Sequence, residues 1–411
     1  MKSTHLNVTR IRFAVFLLST GLAAGCGSGA ATSEAAEFSS DVVTVSATPP
    51  PLNTSKHNAD GVITIAAVGD IMLGSTSINE TFLPPNDGKD VLREVTPLLA
   101  SADIAFGNLE GPLIDGGVST KCPPGPKAKP AGMPTPTPTP TPKPKTGEKK
   151  KPIGCFAFRT PTHYGKYLKE AGFDVLSLAN NHSLDFGIEG IASTRRTLDA
   201  LAIEHVGSDR LRYASATVES NGKKIAFVGF AHNTVVPNIN DLSAAGALVA
   251  KVKRSADIVV VSFHGGSEGA AAEHVPFGTE MLGKEKRGNL RAFARTIIDA
   301  GADLVLGHGP HVLRGMESYK DRLVIYSMGN FATYGMFNLK GAQGLTAIFE
   351  IKLDTEGKFV GGKIHSAKQV GRGIPVLEDS GESIKKIRAL SLEDFGKTAP
   401  TVGNDGVILL N

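Results

Sequence analysis

The stretch Val62-Ile63-Thr64-Ile65-Ala66-Ala67-Val68-Gly69-Asp70 (residues 62–70) is a β-branched and apolar run that stops on a glycine and a carboxylate. A short continuous apolar run bounded by a turn residue reads as a strand buried on both faces. The same grammar recurs along the chain. A run at 103–106 leads into Gly107-Asn108-Leu109-Glu110, and one at 174–178 into Ala179-Asn180-Asn181-His182. Another at 257–263 ends at His264, and one at 303–306 leads into Gly307-His308-Gly309-Pro310-His311. Further strands are expected at 224–230, 322–327, 346–352 and 359–366. Helical spacing predicts a helix over about 286–300 whose buried stripe is Leu290, Phe293, Ala294, Ile297 and Ile298, with Gly301 as its stop. A second, over about 188–202, would bury Ile188, Ile191, Leu198 and Leu201. Strands alternating with helices between residues 62 and 375 indicate an α/β domain with a largely buried sheet.

Composition sets the outer limits. The chain has 411 residues, of which 41% are hydrophobic and 20% charged, enough to bury a core and enough to exclude whole-chain disorder or a fibrous protein. The net charge of +4 is concentrated: residues 121–151 hold eight Lys against one Glu, so the remainder sums to 4 − 7 = −3. That distribution gives no nucleic-acid footprint.

Lys2, Arg10 and Arg12 precede an apolar run from Phe13 to Ala24, the pattern of a secretory signal peptide too short to span a bilayer. Residues 1–26 are read as this leader. Its end, Leu22-Ala23-Ala24-Gly25-Cys26, resembles a bacterial lipobox in which Cys26 is lipidated and anchors the protein to the membrane. Residues 27–60, rich in Ala, Ser, Thr and Pro, read as a tether. Export and lipid anchoring to the cell envelope follow, with the outer membrane and periplasm as the site if the host has two membranes. Export also places Cys122 and Cys155 in an oxidising compartment, where they are expected to pair around a Pro/Lys-rich insertion at 121–152. Pro134 to Pro144 alternates Pro with Thr or Lys and favours a polyproline conformation outside any sheet. Closing this loop would contribute on the order of 3 kcal/mol if loop-closure entropy dominates. Residues 376–411 are expected to pack on the main domain as a C-terminal extension.

The strand ends carry the chemistry. Ligands of α/β sheets bind beyond the carboxyl ends of strands, and here five such ends deliver carboxylate, amide or imidazole. Four of the eleven His (His182, His264, His308 and His311) follow apolar runs directly. Imidazole with carboxylate oxygen suits a borderline or hard divalent ion such as Mn, Fe or Zn, and a mixed set with open positions is catalytic in type. Taken singly, Asp70 could cap a helix, Asn181 could make a turn and His264 could be a satisfied core residue. Glu268 and Asn330 are candidates to line a substrate pocket, with ordinary turn residues as the competing reading. His5, His57, His163, His205 and His365 read as structural or solvated; His232 and His274 stay open. Thr333, Tyr334 and Phe337 read as core or rim.

Six ordered motifs resemble the CapA-like proteins of poly-gamma-glutamate capsule biosynthesis, relatives of calcineurin-type metallophosphoesterases. They are Val68-Gly69-Asp70-Ile71-Met72, Gly107-Asn108-Leu109-Glu110-Gly111-Pro112, Leu178-Ala179-Asn180-Asn181-His182, Phe263-His264-Gly265-Gly266, Gly307-His308-Gly309-Pro310-His311 and Tyr326-Ser327-Met328-Gly329-Asn330-Phe331. The resemblance spans about residues 61–375. It implies a metallophosphatase-like four-layer sandwich, two mixed β-sheets flanked by α-helices, with the site on one edge. It further implies one or two divalent ions, Asp70 and His311 holding one, Asn181, His264 and His308 the second, and Glu110 bridging. His182 would be the acid near a leaving group, with Asn108 among the substrate-binding residues. Met72 stands where the phosphoesterase pattern has His, the second motif ends in Glu110 instead of Asp, and the last His motif is one residue longer.

The leading functional expectation is therefore an exported metal-dependent hydrolase or transferase of capsule biosynthesis. It would act on an amide or phosphoester bond of an anionic surface polymer such as poly-gamma-glutamate, with capsule synthase or export proteins as partners. The alternatives are a non-catalytic polymer-binding or assembly factor that retains the fold, and a metal-dependent phosphoesterase.

Overall fold

The computed structural model describes residues 61–76, 82–122 and 155–410. The leader, Cys26, the tether and most of the Pro/Lys-rich insertion lie outside the described residues. Two mixed sheets face each other. In the first, the order is Thr401–Val402, Val407–Leu409, Phe359–Val370, Leu345–Leu353, Ile63–Met72, Ile104–Leu109, Val175–Ser177 and Glu204–Val206. Asn330–Thr333 also pairs with Ile63–Met72, and Ile374–Leu377 with Phe359–Val370. The second runs Met316–Tyr319, Arg322–Ile325, Leu304–His308, Ile258–His264, Lys223–Ala231 and Ser215–Ser220.

The two-residue side-chain period of a strand explains the layering. Ile63, Ile65 and Ala67 face the second sheet and join Phe106, Phe227, Val260 and Leu306 in a central core. Phe106 stacks on Phe227 with ring centroids 5.4 Å apart. Ala66 and Val68 point the other way, onto a cluster that includes Leu99, Leu168 and Leu198 of the helices Thr96–Ser101, Gly165–Glu170 and Gly187–Ala200. On the outer face of the second sheet, Val259, Val261 and Val305 meet Val249 and Ile297 of the helices Leu242–Lys253 and Leu290–Asp299. Both faces of each central strand are thus covered, which is why those strands read as unbroken apolar runs. The four layers expected from the sequence are present.

Several boundaries differ. The helix expected from residue 286 starts at Leu290, because Glu285–Gly288 forms a two-stranded hairpin with Glu280–Leu282 and the Asn289 side chain caps the helix by accepting from the Ala292 N–H. Its predicted stripe is buried throughout. Ile188, expected to be buried, is 72% exposed. It lies on the flank of Gly187–Ala200, turned away from the buried Gly190 and Thr194, and Ile191 and Leu198 carry the apolar part of the buried face. The expected boundary at 375/376 falls inside the strand Ile374–Leu377. Beyond it, Glu382–Phe395 sends Ile384 and Ile387 into the central core, and Val407–Leu409 pairs with Phe359–Val370. The C-terminal segment is consequently a working part of the sandwich. Cys122 and Cys155 are joined by a disulfide. Among the described residues, no helix is long and apolar enough to cross a membrane.

Candidate metal centre

Parallel register brings the strand-end residues into two rows. In the first sheet Asp70 pairs with Asn108 on one side and with Asn330 on the other. Both ladders shift register at Asp70, a local irregularity that re-aims a side chain. In the second sheet His308 is the register partner of His264. The rows meet at the same edge, so that Asp70 Oδ1 lies 3.4 Å from His308 Nδ1 and Asn108 Nδ2 lies 3.4 Å from His264 Nδ1. Glycine makes the approach possible: a Cβ on Gly69 would lie 2.0 Å from the Gly329 carbonyl oxygen.

Asp70, Glu110 and His311 each offer a ligand atom within 4.8 Å of the others, and all three are buried. His311 Nδ1 donates toward Asp70 Oδ2 and Asn330 Oδ1, both at 3.0 Å, and its Nε2 lies 3.7 Å from Glu110 Oε1. His311 adopts φ +59°, a left-handed conformation that a non-glycine residue takes only when its surroundings over-determine it. His264 Nε2 lies 4.0 Å and His182 Nε2 3.8 Å from the same Glu110 oxygen.

The hydrogen-bond account of this edge does not close. Both oxygens of Glu110, Asn181 Oδ1, His264 Nε2 and both ring nitrogens of His308 are buried without a hydrogen-bond partner. Buried polar atoms are normally paired, and leaving one unpaired costs about 1–3 kcal/mol. The orphaned atoms of Glu110, His264 and His308 come together from the strand ends of both sheets, and, with Asn181 Oδ1, all six are oxygen or imidazole nitrogen, the donor set of a divalent cation.

Electrostatics agree with a site built to hold positive charge. Burial alone would raise the Asp70 carboxyl, but His308 and His311 outweigh it and hold the group well below the usual carboxylate range. Burial, together with repulsion from Asp70 and Glu268, pushes Glu110 up to about 8. Burial would lower His311, yet Glu110 and Asp70 raise it to about 10. Burial keeps His264 neutral, well below its ordinary value, as a ligand must be.

The sequence-predicted residues take up different duties. Asp70, Glu110, His264, His308 and His311 gather at the edge with His182 beside them, and Asn181, directly before His182, keeps its Oδ1 buried and unpaired. Asn108 and Asn330 are engaged as holders: Asn108 Nδ2 donates to Asp70 Oδ1 at 2.8 Å while its Oδ1 accepts from Asn180 Nδ2, and Asn330 Nδ2 donates to the carbonyls of His311 and Gln343. Glu268 pairs with the buried Arg287. Met72 is buried in its strand and supplies no ligand of the kind His would. His163, His205 and His365 pair with Asp87, Asp199 and Glu350, away from the site. His274 pairs with Asp394, and His232 lies behind His264, in contact with its carbonyl and with Arg287.

Sequence reading missed the shell that holds these groups. Asp185 Oδ2 accepts from His182 Nδ1 at 2.6 Å, which puts the proton on Nδ1 and turns Nε2 toward Glu110. Phe158 stacks on the same imidazole with centroids 3.9 Å apart, and Phe337 packs on both Phe158 and His311. Asp185 lies three residues after His182 in a tight turn, a spacing that could have flagged it. Phe158 and Arg287 had no such signal.

Residues 64–134 and 137–334 match the family described as bacterial capsule synthesis protein PGA_cap. The capsule biosynthesis protein CapA of Bacillus anthracis is 29% identical over 294 residues, 67% of this chain and 61% of that protein. The PGA biosynthesis protein CapA of Bacillus subtilis (strain 168) is 28% identical over 293 residues, 67% and 64% of the two chains. The match thus spans somewhat under two thirds of these relatives' length. Among solved structures, a hypothetical protein from Thermus thermophilus overlaps 74% of this chain and 99% of its own at 15% identity, with a TM-score of 0.41. The NAD nucleotidase of Haemophilus influenzae overlaps 79% and 55% at 12% identity, with a TM-score of 0.37; overlaps this loose carry no weight in assigning a function. With the motifs that build this edge all falling inside the matched residues, the chain belongs to the bacterial capsule synthesis protein PGA_cap family.

Proposed function

We propose that this protein is an exported, lipid-anchored, metal-dependent hydrolase or transferase that processes an anionic surface polymer of the poly-gamma-glutamate type. The observation that carries the reading is the set of orphaned buried atoms on Glu110, Asn181, His264 and His308, beside Asp70 and His311. Mn, Fe or Zn suits this set, as one ion or two. When bound, such a cation polarises a carbonyl or phosphoryl oxygen and lowers the pKa of water. The chain's own residues supply the rest. Asp70, Glu110 and His311 fix the charge, and Asn108 and Asn330 hold Asp70 and His311 in place. His182, oriented by Asp185, presents Nε2 at the position from which a proton is exchanged with the reacting group. Export rests on the Lys2–Ala24 leader pattern and anchoring on Cys26. A membrane-bound synthase or export protein is the partner that such an anchor would bring into reach.

Elemental analysis of protein purified from the envelope tests the metal, and incubation with poly-gamma-glutamate and with a chromogenic phosphodiester separates amide from phosphoester chemistry. Stoichiometric metal with cleavage of the polymer is expected. Metal-free protein that turns over neither substrate refutes the reading. A second reading, a polymer-binding assembly factor without catalysis, draws on Met72, which takes the place of an imidazole ligand and is buried. Polymer binding without turnover, undiminished in His264→Ala, would favour it.

A further inference from the structure

The two arms of one crosslink grip the His182–Asp185 pair from opposite sides. On the first arm, adjacent to Cys122, the Lys121 ammonium pairs with Asp185 Oδ1 at 3.3 Å; it also lies 3.2 Å from His182 Nδ1, but with the proton on Nδ1 it makes no hydrogen bond there, so its hold on the ring runs through Asp185. Its backbone neighbours dock on the same turn: Ser119 Oγ and the Thr120 N–H both donate to the Asp185 carbonyl, and Thr120 Oγ donates to the Leu184 carbonyl. On the second arm, three residues after Cys155, the Phe158 N–H donates to Asp185 Oδ2 at 2.7 Å while its ring stacks on His182. The Asp185 side chain is fully buried, so its charge depends on these two arms and on His182 for compensation.

The arms are 33 residues apart along the chain, and the Cys122–Cys155 disulfide joins them beside the pair they grip. Further back, the arms are already joined by the Leu113–Thr160 bridge, by the Ile114 N–H donating to the Thr160 carbonyl and by Arg159 donating to the Gly117 carbonyl. Without the disulfide, the tip of the first arm beside Asp185 would be held by a partly exposed ammonium and a few hydrogen bonds, each worth about 1 kcal/mol. With it, docking of one arm presents the other at high effective concentration.

We propose that the Cys122–Cys155 bridge is a positioning device for the site, holding Lys121 and Phe158 against Asp185 and His182 so that the imidazole keeps one orientation, Nδ1–H on Asp185 and Nε2 toward Glu110. Lys121 and Phe158 are positioning residues. What His182 then does rests on the functional reading above; the grip itself does not.

The test is read in metal-free protein, so that it stands or falls separately from the metal centre. The His182 ring C–H resonance is assigned in carbon–proton NMR spectra with His182→Gln, and Phe158→Leu marks where it moves when the stack is lost. In Cys122→Ser/Cys155→Ser the signal is expected to shift toward the Phe158→Leu position and to broaden. In Lys121→Met, with the disulfide intact, it shifts as well. Purely structural crosslinking would lower the melting temperature and leave the resonance where it is in the wild type; that outcome overturns the proposal. Should the double-serine variant fail to fold, Lys121→Met decides alone, and coincidence of its His182 signal with wild type overturns the proposal. Separate titration of the wild type with Mn2+ reports on the metal centre, and its failure would leave the His182 result standing.

Discussion

Replacing Glu110 by Gln should make the metal-free protein more stable, increasingly so as pH rises. Glu110 is buried with neither oxygen hydrogen-bonded, and its pKa is pushed from an ordinary 4.5 up to about 8. Between those values the folded protein binds a proton that the unfolded chain has released, so stability falls as pH increases through that window and the penalty is complete above it. Below pH 4.5 both states are protonated and the group costs nothing. Between pH 6.5 and pH 8 the loss attributable to Glu110 is on the order of 1–2 kcal/mol, since each unit of pH inside the window costs roughly 1.4 kcal/mol. His311, raised to about 10, adds a loss of the same sign above its ordinary 6.5. Because Glu110 itself helps raise His311, the variant also sheds part of the His311 loss, which widens the gap in the same direction. The assay is urea unfolding of chelator-treated wild type and Glu110→Gln at both pH values. The stability gap should widen by about 1–2 kcal/mol in favour of the variant at pH 8. A gap that is constant with pH, or that widens in favour of wild type, would refute the claim that Glu110 is an uncompensated acid awaiting a cation.

Divalent metal should reverse that order, stabilising wild type by about 2.7 kcal/mol at roughly a hundredfold excess over the dissociation constant, as read from melting curves, and leaving Glu110→Gln unmoved. His264→Ala and His308→Ala should each lose bound metal in elemental analysis while keeping the far-ultraviolet circular dichroism of the wild type, because both imidazoles carry orphaned nitrogens. Phe106→Ala, which empties the stacked contact between the sheets, should cost about 3–5 kcal/mol in urea unfolding without changing metal stoichiometry. Gly309→Ala should damage the centre without touching a ligand. Gly309 has φ +111°, and its new Cβ would lie 2.6 Å from the Gly265 carbonyl oxygen, displacing the loop between His308 and His311; lowered metal affinity by titration is the expected result.

Local pattern determined which segments are strands and what chemistry sits at their ends. The run at 62–68 is apolar at every other position on both faces because two different layers cover it, and that requirement is written residue by residue. The same holds for Leu290, Phe293 and Ile297, whose spacing needs no knowledge of what they pack against. Short or half-covered pieces, such as Glu204–Val206, the hairpin at 280–288 and the C-terminal strands, left no comparable trace, since their pairing partners and not their own periodicity make them strands. Ile188 was misplaced because helical spacing does not fix how wide the covered stripe is: it sits on the flank, turned away from the buried Gly190 and Thr194. Tertiary structure alone decided the centre's geometry. Asp70 and His311 are 241 residues apart in the chain and 3.0 Å apart in space. Their meeting depends on the register of parallel strands and on the way two sheets face each other, neither of which a local period encodes. The assignment of Asn108 and Asn330 as holders, of Asp185 as the partner of His182, and of Lys121 and Phe158 as its clamp came from that packing. A side chain's role is set by the atoms opposite it, and the chain supplies those from anywhere along its length.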